Sequence, residues 1–218
     1  VSVASGKTVT IAGSTNINVD THTLTIQGAG KENSNLVCNR SSGFALYGLS
    51  GTLRLEDITV EVIGGLGLQM GNADIDSGAR LVLNVPGEDN LVVVGTSFDV
   101  SGEVDIQDFD SVAISLQGGS MTIKNGGTVK VGKGSQKNVG IEVRVNTELV
   151  VESGGTLTDG AGAGGIELLH NGFTGTEVTG VSGKFIDRGQ TLTEDGQVTV
   201  AAATEPASAT GLTAGNYT

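Results

Sequence analysis

Apolar and polar residues alternate in short runs along most of the chain, and corners rich in Gly, Ser, Asn and Asp separate the runs. Residues 23–26 (TLTI) and 104–106 (VDI) are examples of this alternation. A period of two residues is typical of β-strands with one buried face, and no long stretch of the sequence has the 3.6-residue period of a helix. The pattern therefore predicts an all-β fold of short strands.

One family of these strands follows a corner formed by a small residue and glycine. Glycine supplies the positive φ that a tight corner needs, and Ser or Asn at successive corners can form hydrogen bonds. A nearly fixed spacing of this size is the sequence signature of a stacked repeat. The corners recur every 24–29 residues, at Ser50, Ser77, Ser101, Asn125, Ser153 and Ser182.

Two further strand families recur with the same spacing. One is a short strand before each of those corners, as at residues 74–75 (DI) and 99–100 (DV). The other predicts one stacked interior column of Leu46, Leu68, Val93, Ile114, Ile141 and Ile166. Three strands per period describe a three-sided coil, and coils must stack about 4.8 Å apart to bury their apolar faces. Residues 1–200 are therefore predicted to form a right-handed parallel β-helix, a solenoid of about seven or eight coils of roughly 24 residues.

The last residues of the chain have a different composition. An Ala/Thr/Ser-rich stretch with Pro206 begins near residue 201, and glycine returns at Gly211. Such a composition predicts a linker over residues 201–218 or the start of a truncated further module. This interpretation favours a longer protein with neighbouring modules.

Three segments resemble the strands of a known superfamily. Residues 6–11 (GKTVTI), 52–60 (TLRLEDITV) and 139–143 (VGIEV) are similar to the pectin-lyase-like right-handed parallel β-helix proteins. The resemblance covers about residues 1–200 and rests on the pattern of strands rather than on active-site residues. Members include polysaccharide lyases, hydrolases, phage tailspikes, surface adhesins and non-catalytic glycan-binding modules. The resemblance therefore implies a fold and an extracellular setting, and no single chemistry.

Composition narrows the partners and the location. The net charge of −12 argues against binding to nucleic acid, whose phosphates need clusters of Lys and Arg. Cys38 is the only cysteine, so no internal disulfide is possible, which favours a bacterial surface protein. No apolar run reaches the length of a membrane span, so membrane insertion is not expected. The expected location is extracellular, at the bacterial cell surface, with a polysaccharide or a host or cell-surface glycan as partner.

Aspartates provide the most suggestive chemistry. Asp74 and Asp99 occupy equivalent outward positions on neighbouring coils, where two carboxylates repel each other unless a cation lies between them or one is protonated. Asp105, Asp108 and Asp110 form a second acidic group farther along the chain. These five residues are the candidate Ca²⁺ ligands, and the sequence requires no other cofactor. A pair of acid–base carboxylates is an alternative, and a solvated acidic face is the simplest interpretation.

Charged residues also occupy the outer positions of the strands that follow the Ser-Gly corners. Opposite charges on adjacent coils are then within reach of each other, which predicts the pairs Arg80–Glu103 and Asp105–Lys130. Such pairs would occupy the basic groups that a lyase needs. The two predicted outward columns are Thr52, Arg80, Glu103, Thr128 and Thr156, and Arg54, Val82, Asp105, Lys130 and Thr158.

Few side chains point to catalysis or to ligand contact. His22 and His170 fall in distant coils, so no catalytic residue is assigned. Tyr47 is the candidate for an exposed aromatic contact to a ligand, whereas Phe44 and Phe98 are expected in the core. The predicted function is that of a non-catalytic, secreted or cell-surface β-solenoid of a bacterial protein, acting as an adhesin, a spacer or a glycan-binding module. A carbohydrate-active enzyme (polysaccharide lyase or glycoside hydrolase) and a trimeric phage-type fibre segment are the alternatives.

Overall fold

The computed structural model consists of β-strands joined by short corners. It describes residues 1–14, 16–134, 139–143, 147–152 and 154–159, together with the five strands that lie between residues 166 and 217. The strands are β1 (Lys7–Gly13), β2 (Ile17–Asn18), β3 (Thr23–Gln27), β4 (Ser34–Glu56), β5 (Thr59–Ile75), β6 (Arg80–Asn84), β7 (Val92–Val100), β8 (Glu103–Phe109), β9 (Val112–Leu116), β10 (Gly119–Ile123), β11 (Thr128–Gly134), β12 (Val139–Val143), β13 (Thr147–Val151), β14 (Thr156–Asp159), β15 (Ile166–His170), β16 (Val178–Val181), β17 (Phe185–Asp187), β18 (Val198–Val200) and β19 (Gly215–Tyr217).

The chain passes through three sheet faces in a fixed order. Face 1 contains β1, the beginnings of β4 and β5, and β6, β8, β11 and β14. Face 2 contains β2, the middle parts of β4 and β5, the beginning of β7, and β9, β12 and β15. Face 3 contains β3, the ends of β4, β5 and β7, and β10 and β13. These pairings are parallel and join successive turns.

This architecture is a parallel β-solenoid, as the alternation of apolar and polar residues predicts. It has about six turns, with equivalent positions about 24 residues apart. The described residues account for about six of the predicted seven or eight turns. The difference arises because the count of seven or eight extends the repeat to residue 200, whereas face 3 is described only as far as β13.

The apolar core fills the space between the three faces. On face 1 the inward column is Val9, Leu36, Val60, Leu81, Val104, Val129 and Leu157. On face 2 it is Ile17, Leu46, Leu68, Val92, Ile114 and Ile141. On face 3 it is Leu24, Leu53, Ala73, Phe98, Met121 and Leu149. Apart from the first member of each column, these side chains are buried and belong to one continuous cluster.

The predicted face 2 column is wrong at two of its positions. Val92 rather than Val93 occupies the inward register, and Leu168 rather than Ile166 pairs with Ile141. Residues 91–94 (LVVV) do not alternate, so the sequence pattern fits both registers equally well, and a shift of one residue exchanges the two faces of a strand. Val93 points outward but is only 5% exposed.

The Ser-Gly motif marks two different corners of the solenoid. Residues 77–78 precede a strand of face 1, whereas residues 50–51 precede the part of β4 that lies on face 3. Thr52 and Arg54 therefore lie on face 3, where Arg54 is in register with Asp74, and their predicted places in the outward columns of face 1 are wrong. A Cβ atom on Gly51 would lie 2.6 Å from the Asp20 carbonyl oxygen, and one on Gly78 would lie 2.1 Å from Asp57 Oδ1, so both corners need a residue without a side chain.

Close stacking of the turns explains the glycines at the corner before face 1. A Cβ atom on Gly102 would lie 2.1 Å from the carbonyl oxygen of Asp76, and one on Gly127 would lie 2.1 Å from that of Val100. The neighbouring atom is backbone in both cases and has little freedom to move. Glycine is therefore required at these positions by space rather than by φ.

Three expectations from the sequence concern other parts of the chain. Cys38 is a buried free thiol on face 1, and burial raises its pKa to about 11. No helix in the described ranges is long and apolar enough to cross a membrane. Of the proposed linker or truncated module at residues 201–218, residues 201–214 and Thr218 lie outside the described residues. Gly215–Tyr217 forms β19, which pairs antiparallel with β18.

Candidate functional site

The outer surface of face 1 carries a network of ion pairs between successive turns. Arg80 and Glu103 are register partners, and Arg80 Nε lies 3.5 Å from Glu103 Oε1. Arg80 Nη2 donates a hydrogen bond of 3.2 Å to Asp105 Oδ2, which also accepts one from Gln107 Nε2. The predicted Arg80–Glu103 pair is therefore present. Lys130 is in register with Asp105 as predicted, but its ion pair at 3.6 Å is with Glu103.

Glu103 is the centre of this network. A third cation, Lys31, also contacts Glu103, and its Nζ atom lies 3.7 Å from Glu103 Oε2. Lys31 lies in the tight turn at residues 31–33, just before β4. Its carbonyl oxygen accepts a hydrogen bond of 2.8 Å from Thr59 Oγ1. The sequence pattern does not predict this role of Lys31, because the residue lies outside the alternating strands. It comes close to Arg80 only through the stacking of the solenoid turns.

Lys31 lines two open spaces on the outer surface of face 1. One has a volume of about 470 Å³; we call it the Lys7 groove. Its lining includes Lys7, Thr8, Lys31, Asn35, Thr59 and Arg80. The other has a volume of about 290 Å³ and a lining that includes Ser77, Glu103, Thr128 and Lys130. Both spaces have polar walls, so they suit polar or charged ligands better than apolar ones.

The aspartates of face 3 are close together but are paired with cations. Asp74 and Asp99 are register partners on neighbouring turns. Lys124 Nζ donates a hydrogen bond of 2.9 Å to Asp99 Oδ2, and Arg54 Nε lies 3.9 Å from Asp74 Oδ2. The hydrogen bond to Asp99 raises the pKa of Lys124 against the opposite effect of partial burial, and the charges of Asp99, Asp74 and Glu152 add to the increase.

The five candidate Ca²⁺ ligands do not form one group. Asp105 lies on face 1 beside Arg80, away from the aspartates of face 3. Asp108 is in register with Asn84, and Asp110 lies at the next corner, where its N–H donates to the Glu88 carbonyl oxygen at 2.7 Å. In the described part of the chain, no three His, Cys, Asp or Glu side chains are grouped so that they could hold a metal ion. Binding of Ca²⁺ therefore stays a prediction.

An aromatic pair lies on the outer surface of face 2. Tyr47 is half-buried and stacks on Phe44, with ring centroids 6.5 Å apart and ring planes 26° from parallel. Phe98 is buried as expected, but Phe44 is also half-buried, so its expected place in the core is wrong. The corner after Gly43 (φ 70°) interrupts the alternation, and Arg40 supports this corner by donating to the Phe44 carbonyl oxygen.

Polar side chains flank the aromatic pair. Asn18 and Gln69 are the register partners of Tyr47 on the preceding and following turns. Asn18 is exposed and Gln69 is half-buried. Rings beside amide groups on a rigid outer surface are a suitable arrangement for a sugar, which has apolar ring faces and polar hydroxyl groups.

The two histidines fall at opposite ends of the solenoid. His22 lies at the corner before β3 in the first turn, and His170 ends β15 after the sixth turn. One polar contact on face 2 has no signal in the sequence, namely the hydrogen bond of 2.9 Å that the buried Ser115 Oγ donates to Glu142 Oε2. His22 lies in the first turn, far from this serine, and we assign the contact no chemistry.

Comparison with known proteins identifies no relative of this chain. No family model matches the chain, and neither the curated proteins nor the solved structures yield a match. The parallel β-solenoid therefore rests on the strand register of the chain itself.

Proposed function

We propose that this chain is a non-catalytic glycan-binding module of a secreted or cell-surface bacterial protein, related to the pectin-lyase-like β-helix proteins. The observation that carries the proposal is the stacked Phe44–Tyr47 pair on the outer surface of face 2. Half-buried rings that are held by neighbouring turns keep a fixed orientation, so a ligand that stacks on them loses little additional entropy of the protein. An adhesin or a spacer with a binding surface would use the same arrangement.

The amides beside the rings extend the proposed contact. A sugar stacked on Tyr47 would place its hydroxyl groups toward Asn18 and Gln69, which lie one turn to either side at about 4.8 Å strand spacing. Amides both donate and accept hydrogen bonds, which suits hydroxyl groups. The partner is therefore a neutral or weakly charged polysaccharide rather than an apolar molecule.

The enzymatic alternative has weaker support. Asp74 and Asp99 are the closest approach to a catalytic pair, because neighbouring strands place carboxylates at about the separation found in retaining glycosidases. One of the two acids of such a pair must carry a proton during catalysis, and a neighbouring ammonium or guanidinium group opposes protonation. Here Lys124 and Arg54 occupy those positions. The pair is therefore better explained as a structural salt-bridge network.

The experiment compares binding and turnover on the same polysaccharides. We expect the purified chain to bind at least one immobilised polysaccharide, Tyr47→Phe to retain binding, and Tyr47→Ala to weaken it about fivefold or more. Asn84→Ala, at an exposed position on face 1, is the control and should leave binding unchanged. Release of reducing ends or unsaturated products that is lost in Asp99→Asn would favour the enzyme instead. A stable trimer in light scattering without glycan binding would favour the fibre segment.

A further inference from the structure

The Lys7 groove has an unusual charge for this chain. Lys7, Lys31 and Arg80 contribute to its lining, and Glu32 is the only acidic side chain among the described lining residues. The complete chain, in contrast, has a net charge of −12. Basic side chains from three different turns therefore converge on one polar surface of an acidic protein.

The basic side chains near the groove do not each have a carboxylate partner of their own. Glu103 is shared by three cations, Lys31, Arg80 and Lys130, at 3.5–3.7 Å. Asp105 contacts Arg80 alone among these three. Lys7 is exposed, and in the described part of the structure no carboxylate lies within ion-pair distance of it.

A count of the side chains gives the sign of the local charge. Lys7, Lys31, Arg80 and Lys130 contribute four positive charges. The carboxylate in the lining, Glu32, and the two that pair with these cations, Glu103 and Asp105, contribute three negative charges, one fewer than the cations. Among these four cations, Lys7 is the one with no carboxylate at ion-pair distance in the described residues, so its charge is the one most open to a ligand.

The groove also offers uncharged donors of hydrogen bonds. Thr8 and Asn35 are register partners on the first two turns, so a hydroxyl and an amide group lie beside the basic side chains. An anion with several acceptor oxygens would use the ammonium groups of Lys7 and Lys31 together with these neutral donors. The volume of about 470 Å³ is far larger than one water molecule requires, so a substituted ligand also fits.

We propose that the Lys7 groove binds a tetrahedral oxyanion, a phosphate or sulfate group, which is either a free inorganic ion or a substituent of a larger ligand. Lys7 and Lys31 supply the charge, and Thr8 and Asn35 supply the neutral hydrogen bonds. The site lies on face 1, away from the Phe44–Tyr47 pair on face 2, and it does not depend on the function proposed above. Tyr47→Ala therefore leaves anion binding intact.

The first experiment uses inorganic phosphate and inorganic sulfate as probes. Melting temperature and calorimetric titration are measured at constant ionic strength, with sodium chloride replacing the probe in the reference samples. Millimolar probe should raise the melting temperature, since a ligand that binds only the folded state stabilises it. Lys7→Gln should weaken binding about two- to fivefold, and Lys7→Gln/Lys31→Gln should abolish it.

Lys124→Gln is the matched control, because Lys124 is a half-exposed cation of face 3 that is remote from the groove. Circular dichroism and the melting temperature without probe establish that each variant is folded. A rise in melting temperature that chloride reproduces, or that survives in Lys7→Gln/Lys31→Gln, would overturn the proposal.

A second arm distinguishes the two sources of the anion. Dextran sulfate is compared with inorganic sulfate, both at equal sulfate concentration and with the same variants. Affinity for the polymer that is more than tenfold higher and depends on Lys7 and Lys31 identifies a substituent on a larger ligand. Equal affinity per sulfate group identifies the free ion, and binding of neither probe contradicts the site.

Discussion

Lys124 Nζ donates a hydrogen bond of 2.9 Å to Asp99 Oδ2, and Asp99 is in register with Asp74 on the preceding turn. Two carboxylates on adjacent strands would repel each other, and the ammonium group offsets this repulsion at one side while Arg54 approaches Asp74 at the other. The same side chains that suggest a Ca²⁺ site in the sequence are therefore bound to cations of the protein itself. Two measurements follow from this arrangement.

The stability that Lys124 contributes should depend on pH in one direction. The hydrogen bond to Asp99 raises the pKa of Lys124 above its ordinary value, so the folded protein holds this proton more tightly than the unfolded chain. The contribution is then fully present below about pH 10.4 and is lost as the pH rises through the folded-state pKa. We expect Lys124→Met to lower the free energy of unfolding by at most about 1 kcal/mol at neutral pH, because both groups are partly exposed.

The measurement is the difference in free energy of unfolding between the wild-type chain and Lys124→Met, taken from urea titrations over a range of pH. This difference should stay constant from about pH 7 to about pH 10 and shrink only above that value. Lys7→Met removes an exposed lysine that has no ion pair among the described residues, so it is the control and should show no such dependence. A difference that already vanishes in the neutral range would contradict the assignment.

Removal of the ammonium group should also reveal any affinity of the aspartate pair for Ca²⁺. In the wild-type chain Lys124 competes with a divalent cation for Asp99, whereas Lys124→Ala removes this competitor and leaves the Arg54–Asp74 ion pair in place. Millimolar Ca²⁺ should therefore raise the melting temperature of Lys124→Ala more than that of the wild type. The increase should disappear in Lys124→Ala/Asp99→Ala. Equal increases in melting temperature in all three proteins would show that the aspartate pair does not bind Ca²⁺.

Ile114 tests the inward column of face 2. It is fully buried between Val92 and Ile141 on the neighbouring turns. The backbones of stacked turns are fixed by their hydrogen bonds, so the cavity left by Ile114→Ala cannot close, and we expect a loss of about 2–5 kcal/mol in the free energy of unfolding. Leu49→Ala removes a side chain of the same size that is 60% exposed, and it should cost less than about 1 kcal/mol. Similar losses in the two variants would show that Ile114 is not part of the core.

How far the sequence predicts this molecule depends on how well its strands alternate. Val104 and Ile106 flank an outward Asp105, so their inward placement on β8 follows from the pattern alone. Residues 91–94 (LVVV) do not alternate, and there the hydrogen-bond register with the neighbouring turn, which the sequence does not display, decides that Val92 points inward. The Ser-Gly corners fail for a related reason, because one dipeptide satisfies the steric demands of two different corners.

The candidate sites were predictable only where both partners lie on regular strands. The contact between Arg80 and Glu103 follows from aligning their strands, and it is present. Lys31 lies in the tight turn before β4, outside the regular strands. Its side chain contacts Glu103 across two intervening strands of face 1, and no spacing in the sequence predicts this contact. Phe44 is likewise turned outward by a corner whose geometry depends on Gly43 and Arg40. Alternation of apolar and polar residues therefore predicts contacts between regular strands, but it does not predict the reach of long side chains or the geometry of corners.

Two adjacent glycines separate steric clash from backbone strain. Gly126 has φ 82° with no atom within 4 Å of the position that a Cβ would take, whereas a Cβ on Gly127 would lie 2.1 Å from the Val100 carbonyl oxygen. Gly126→Ala should therefore cost about 1–2 kcal/mol through the left-handed conformation alone. Gly127→Ala should cost more, because the backbones of two stacked turns must separate to admit the methyl group. Urea unfolding of both variants checks the order, and a larger loss in Gly126→Ala would contradict the close stacking at this corner.

Glu103 should contribute more to stability than any one of its partners. Its carboxylate is shared by Lys31, Arg80 and Lys130, and its side chain is only 20% exposed. Glu103→Gln would leave these three cations without that charge, so their mutual repulsion adds to the lost attraction, and we expect a loss of about 1–2 kcal/mol in the free energy of unfolding. Lys130→Gln removes one exposed contact and should cost less than about 1 kcal/mol.

The same substitution separates electrostatics from packing, since glutamine has nearly the shape of glutamate. Added sodium chloride screens repulsion between the exposed cations, so the loss in Glu103→Gln should shrink between low and about 1 M salt. Affinity for inorganic phosphate in the Lys7 groove should rise in this variant, because Glu103 no longer competes for Lys31 and Arg80. A loss that is independent of salt would assign Glu103 a packing role instead, and unchanged phosphate affinity would show that its charge does not reach the groove.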